Sequence, residues 1–222
     1  MRYFTGDYLE FFKELAPNNN KEWFDKNRKR YVNSVKEPFK YFVKDLIQEI
    51  AKIDNEVQIE AKDAIFRINR DIRFSKDKTP YKLNNSAIIS KTGRRDKNYP
   101  GIYIELSPDK FRFYGGVYAP DTRQIQKIRE AIIKKNDEFN RIVNAKDFKS
   151  KFGEIRGEKN KRIPKEFREF ARMQPLLFNK QWYHFAELSP KIILQDDLMR
   201  MVLEYALSAS KMRIFLKDAL YD

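Results

Sequence analysis

Apolar positions in the first quarter of the chain recur at helical spacing. They predict helices over residues 6–15 and 20–53, with Pro17 ending the first. Asn19, with Glu22 three positions on, reads as a capping box, and Trp23, Phe24, Asn27 and Tyr31 then share one stripe. Pro38 interrupts that stripe. It fits best as the first residue of a new helix, because Phe39, Phe42, Val43, Leu46, Ile47, Ile50 and Ile53 recur behind it at intervals of three and four. From about residue 57 the period becomes two. An extended Ile65–Phe74 places Phe66, Ile68, Ile72 and Phe74 on one face and Arg67, Asn69, Asp71 and Arg73 on the other. Residues 83–90 predict a second strand.

A hairpin turning at Pro108-Asp109 gives the clearest local signal. Its register sets Glu105 against Arg112, Ile104 against Phe113 and Tyr103 against Tyr114, so charge meets charge and ring meets ring. After Pro120 the helical period returns with Ile125, Ile128, Ile132 and Ile133, followed by a mixed basic stretch to about 172. Trp182–Leu188 reads as a strand. Leu198, Val202, Ala206, Ala209, Met212 and Leu216 mark a long closing helix. Helices, then strands, then helices predict an α+β fold with a mainly antiparallel sheet from the middle of the chain, covered by N-terminal and C-terminal helices. With no internal repeat, low-complexity tract or linker, residues 1–222 are expected to form a single domain.

Composition narrows the chemistry. The 222 residues include no cysteine and one histidine, His184, which removes disulfides, thiolate metal sites and cysteine nucleophiles and leaves little for a serine-histidine relay. His184 lies among Trp182, Tyr183 and Phe185 and reads as a packed or edge residue. No apolar run reaches the length of a membrane helix, and Asp7 and Glu10 stand where a signal peptide would be apolar, so a cytoplasmic protein without a membrane partner is expected. Basic residues number 46 against 32 acidic, a net charge of +14. The rich Lys, Asn and Ile usage is that of an AT-biased coding sequence, so distribution matters more than the total. Residues 67–99 hold ten basic and three acidic side chains, net +7, and residues 149–172 hold nine and four, net +5.

The densest chemistry lies in residues 67–82, with three arginines, three lysines, two aspartates, a tyrosine and two hydroxyls. Arginine's planar fork matches phosphate or carboxylate oxygens, and Ser75, Thr79 and Tyr81 can complete an oxyanion shell. Equally, Asp71 and Asp77 can neutralise the neighbouring arginines in a solvated strand and loop. Asp71, Asp77 and Glu105 offer oxygen ligands for a hard cation, but the arginines compete for the same carboxylates, and no metal is assigned. Gly115-Gly116 ahead of a helix can present amides to an anion, or can mark a bulge or close backbone approach.

The run Arg70-Asp71-x-Arg73-Phe74-Ser75-x-Asp77-Lys78-x-Pro80-Tyr81-Lys82 resembles the central signature of the domain of unknown function 2461 family, a widespread microbial family without an assigned activity. Asn19-Asn20-Lys21-Glu22-Trp23-Phe24 resembles its N-terminal motif, Gly115-Gly116-Val117-Tyr118-x-Pro120 its glycine-rich turn, and Arg129 its Arg-x-x-Ile element. The resemblance covers about residues 5–217. Pro164-Lys165-Glu166-Phe167 stands where that family has Pro-Lys-Gly-Tyr, losing a tight-turn glycine and a hydroxyl. The resemblance implies a fold and a site but no reaction. The candidate ligand-binding set is Arg70, Asp71, Arg73, Ser75, Asp77, Lys78, Tyr81, Lys82, Gly116, Tyr118 and Arg129.

Three functions fit these residues. The first is a phosphate- or carboxylate-bearing small ligand held by Arg70, Arg73, Lys78, Tyr81 and Lys82, with Asp71 and Asp77 orienting the arginines. The second is nucleic-acid binding along the two basic segments, with Tyr99, Tyr103 or Tyr114 available for stacking. The third is a scaffold for a protein partner, in which the aspartates tie strand to loop. Any acid–base chemistry falls to Tyr81, a lysine or an aspartate. Cofactor and oligomeric state are left open.

Overall fold

The protein is described by a computed structural model over residues 1–221. The chain opens with α1 (Gly6–Leu15), α2 (Lys21–Lys26) and α3 (Arg28–Tyr31), then a π-helical turn (Val32–Lys36) that runs directly into α4 (Glu37–Ile53). Pro38 sits in the first turn of α4, where a missing N–H costs little. The helix does not break ahead of it, because the π-helical turn absorbs the crowding. The apolar stripe of α4 is buried as its spacing predicts, except that Ile53 in the last turn is 42% exposed. α2 is capped by Asn20, whose side chain accepts from the Trp23 N–H at 3.0 Å. The predicted Asn19 cap is therefore one residue early.

After the short α5 (Ala61–Ala64) the expected Ile65–Phe74 strand does not form. Only Ile65 and Asn69 make isolated bridges, to Ala87 and Tyr81, and Phe74 is 94% exposed. The alternation fails because four charged or hydroxyl groups between Asp71 and Asp77 bond within the segment and bend it. Strands β1 (Asn85–Ile89), β2 (Gly101–Leu106), β3 (Phe111–Val117) and β4 (Trp182–Leu188) form one antiparallel sheet in the order β1-β2-β3-β4. The β2–β3 hairpin keeps the expected register: Ser107 N–H donates to Lys110 O at 3.0 Å, and Arg112 donates to Glu105 at 3.0 Å. Glu187 also accepts from Arg112 at 3.0 Å and from Lys110 at 3.1 Å.

α6 (Thr122–Lys134) starts at a capping box of Asp121 and Gln124. The stretch that reads as merely basic then yields α7 (Asn136–Val143), α8 (Lys146–Phe152) and α9 (Arg168–Ala171). α10 (Leu198–Tyr221) closes the chain, and all six residues of its predicted stripe are buried. The architecture is α+β. No helix among the described residues is long and apolar enough to cross a membrane.

The residues gather into two compact units. The first comprises Met1–Arg95, Tyr103–Phe113 and Glu187–Leu203, and the second Asp96–Ile102, Tyr114–Ala186 and Glu204–Asp222. The core of the first is an aromatic cluster in which Phe4, Tyr8, Phe12 and Phe42 meet edge to face. In the second, Phe148, Phe152, Trp182 and His184 are buried, with both phenylalanine rings edge-on to the histidine.

Candidate functional site

Residues 67–82 fold back on themselves. Arg70 N–H donates to Pro80 O and Lys82 N–H to Ile68 O, both at 2.8 Å, so a short antiparallel clamp carries residues 71–79 as its tip. Asn19 fixes the returning arm: its amide donates to Tyr81 O at 2.9 Å and accepts from Tyr81 N–H at 3.1 Å. The Tyr81 ring is buried and stacked on Phe24 at 3.9 Å, which places it in the core and not in an open oxyanion shell.

Most of the cations in this segment have protein partners. Arg70 bonds Asp77 and the Thr79 hydroxyl, and also reaches Thr79 O at 3.2 Å and Ser75 Oγ at 3.5 Å. Arg73 grips Asp71 at 3.0 and 2.7 Å, and Lys78 donates to Ile72 O at 3.0 Å. The Thr79 N–H, then the Arg70 guanidinium, hold the Asp77 carboxyl down at about 2. Arg73 likewise lowers Asp71. Lys82 Nζ lies over the Phe66 ring at 5.6 Å.

A cavity of about 330 Å³ opens in the same unit, beside the clamp. Its apolar wall comes from Tyr31, Phe39, Ile65, Phe66 and Ile68. Five cations surround it: Lys36 from the π-helical turn, Lys40 from α4, Lys62 from α5, Arg67 entering the clamp, and Arg94 from a 3₁₀ turn at Gly93–Arg95. That turn is possible because residue 93 is glycine. Its φ is +56°, and a Cβ there would lie 2.6 Å from Asp63 O on α5. Glu37 is the one carboxylate on the wall, 3.7 Å from Lys40, while Lys62 pairs with Glu60 at 2.9 Å. Among the described residues Lys36, Arg67 and Arg94 have no carboxylate within ion-pair distance. Burial pushes the Tyr31 phenol up to about 12, so it stays a neutral hydroxyl at physiological pH. Behind the wall the Tyr8 hydroxyl is fully buried. Asn85, which does line the cavity, is close enough to favour its ionised form but does not meet hydrogen-bond geometry.

Of the residues singled out from sequence, the clamp collects Arg70, Asp71, Arg73, Ser75, Asp77, Lys78, Tyr81 and Lys82, but none of them lines this cavity. Arg67, from the same run, does. Lys36, Lys40, Lys62 and Arg94 carried no motif. The available signal was slight: Lys36 and Lys40 lie four apart where the π-helical turn enters α4, among several other charged residues of that helix.

The remaining candidates lie in the second unit. Gly116, at φ +102°, packs where a Cβ would sit 2.2 Å from Trp182 O, so close backbone approach explains it. Tyr118 is 62% exposed and meets Tyr183 edge-on. Arg129 is only 4% exposed. Its Nε donates to Leu177 O at 2.8 Å, its Nη2 to Asn179 O at 3.3 Å, and its guanidinium lies 5.9 Å from the centre of the Phe167 ring. Phe167, in the departing loop, is buried. Of the tyrosines considered for stacking, Tyr99 is buried against Tyr221 and Tyr114 stacks on Phe185, while Tyr103 lies near Phe66.

The chain is thus an α+β protein with an arginine–aspartate clamp beside a cation-rimmed cavity. The family model described as "Conserved hypothetical protein (DUF2461)" matches residues 7–215. The chain belongs to that family. No curated protein matches it.

Proposed function

We propose that the protein binds a small ligand bearing a phosphate or carboxylate group, and that the ligand sits in the 330 Å³ cavity of the first unit. One observation carries this reading: five cations face one apolar-walled cavity that holds a single carboxylate. The volume suits a compact metabolite. Arg67 and Arg94 supply the forks for the anionic group, and Phe39, Phe66 and Tyr31 take the apolar part of the ligand. The neighbouring clamp acts as support. By pairing Ile68 with Lys82 it fixes the exit direction of Arg67, which matches the internal neutralisation of its own cations.

The test is thermal unfolding against a panel of phosphorylated and carboxylated metabolites. A true ligand at about a hundred times its dissociation constant adds ~2.7 kcal/mol, or ~5–10 °C for a chain this long. Arg67→Glu and Arg94→Glu, both at exposed positions, should melt like the parent without ligand and lose that shift. Equal shifts in parent and variants, or no shift across the panel, would refute the proposal.

A further inference from the structure

The second unit contains another cavity, about 350 Å³, lined by Lys161, Arg162, Ile163, Arg168 and Phe178. Three of these five residues are cations and none is acidic. Arg168 Nε donates to Ile163 O at 3.2 Å, which holds the guanidinium at the cavity and leaves its two amino groups for another acceptor. Among the described residues Lys161, Arg162 and Arg168 have no carboxylate within ion-pair distance, unlike Lys180 beside them, which pairs with Glu158 at 3.5 Å. Phe178 is half-buried, so part of its ring is open to the cavity.

Arg129 adds an independent observation. It is 4% exposed and grips the carbonyls of Leu177 and Asn179, the two residues flanking Phe178. Among the described residues it too has no carboxylate partner. Buried charges in proteins are normally paired. Here a guanidinium held by two carbonyls and the Phe167 ring, with no carboxylate, is tied to both neighbours of Phe178, which lines a cavity with three further cations. Such an excess of positive charge suits an anion, and the partly exposed Phe178 ring suits one with a flat body.

We infer that this cavity binds a nucleotide unit: its phosphate meets Arg162, Arg168 and Lys161, and its base stacks on Phe178. That chemistry has two sources, a free nucleotide or one position of a single strand. Its lining shares no residue with the cavity of the proposed function, so an Arg67→Glu protein should retain it.

Binding is read by fluorescence polarisation of a labelled oligothymidine of about eight nucleotides, in the range one such groove covers. One neutralised phosphate per bound unit predicts a slope of about −0.7 for log affinity against log salt. Arg162→Glu should weaken binding at least ~10-fold, and Lys29→Glu, the same charge change at an exposed position of α3, less than ~2-fold. Phe178→Leu should weaken oligothymidine and mononucleotides but not tripolyphosphate, which has no base. Competition by a mononucleotide as strong as by the oligomer identifies the free nucleotide as the source, and stronger competition by the oligomer identifies the single strand. Equal losses in Arg162→Glu and Lys29→Glu would overturn the inference, as would absence of binding by both oligomer and mononucleotide at about 50 mM salt. Folding of each variant is checked by its unfolding temperature.

Discussion

The single histidine of the chain makes a pH experiment unusually clean. His184 on β4 is fully buried, wedged between Gly115 and the rings of Phe148 and Phe152, and neither ring nitrogen has a hydrogen-bond partner among the described residues. Desolvation without an anion to compensate holds its folded pKa near about 3, against 6.5 for the free side chain. The unfolded chain therefore binds the proton that the folded chain refuses. The stability of the neutral form is present in full above 6.5 and is lost as pH falls from 6.5 toward 3. Moving from about pH 7.5 to about 5.5 raises the protonated fraction of the unfolded state enough to cost ~1.4 kcal/mol, while the folded state stays unprotonated. With an m-value of ~3 kcal/mol/M, the urea midpoint should fall by ~0.5 M. His184→Leu, of similar volume and without a titratable group, should lose that pH dependence whatever its absolute stability. Carboxylates are ionised in both states over this range, so they contribute little to the difference. Equal pH slopes for parent and variant would refute the assignment of His184 as a buried, neutral and unpaired ring.

Two further substitutions test the packing. Asn19→Ala removes both hydrogen bonds to the Tyr81 backbone and should cost ~2–3 kcal/mol by urea unfolding, with Asn19→Asp, which keeps only the accepting half, falling between it and the parent. A change below ~0.5 kcal/mol would mean that the clamp stands without Asn19. Gly116→Ala forces a Cβ onto Trp182 O at a positive φ and should cost at least ~3 kcal/mol, whereas Gly6→Ala, where a Cβ meets nothing within 4 Å, should change stability by less than ~1 kcal/mol.

Much of the fold is legible along the chain because it rests on local periodicity. The stripe from Phe39 to Ile50 makes an amphipathic helix wherever it finds a core, and the β2–β3 register follows from pairing Glu105 with Arg112 across a tight turn. The same holds for the closing helix and for the location of the charge excess. The sequence also carries the run from Arg70 to Lys82 by which the family is recognised, and the self-neutralising aspartates within it. What it does not carry is which cations remain unpaired. Asn19 looks like a cap until the fold brings Tyr81 to it, 62 residues away. Lys36, Lys62, Arg67 and Arg94 come from four separate elements, and only their convergence gives the cavity its excess of positive charge. A charge's partner is set by distances of a few ångströms between segments far apart in the chain, whereas a helix or hairpin is set by neighbours along it. The sequence by itself thus determines many of the elements and the family, and the tertiary structure alone decides which positive charges are left without a carboxylate.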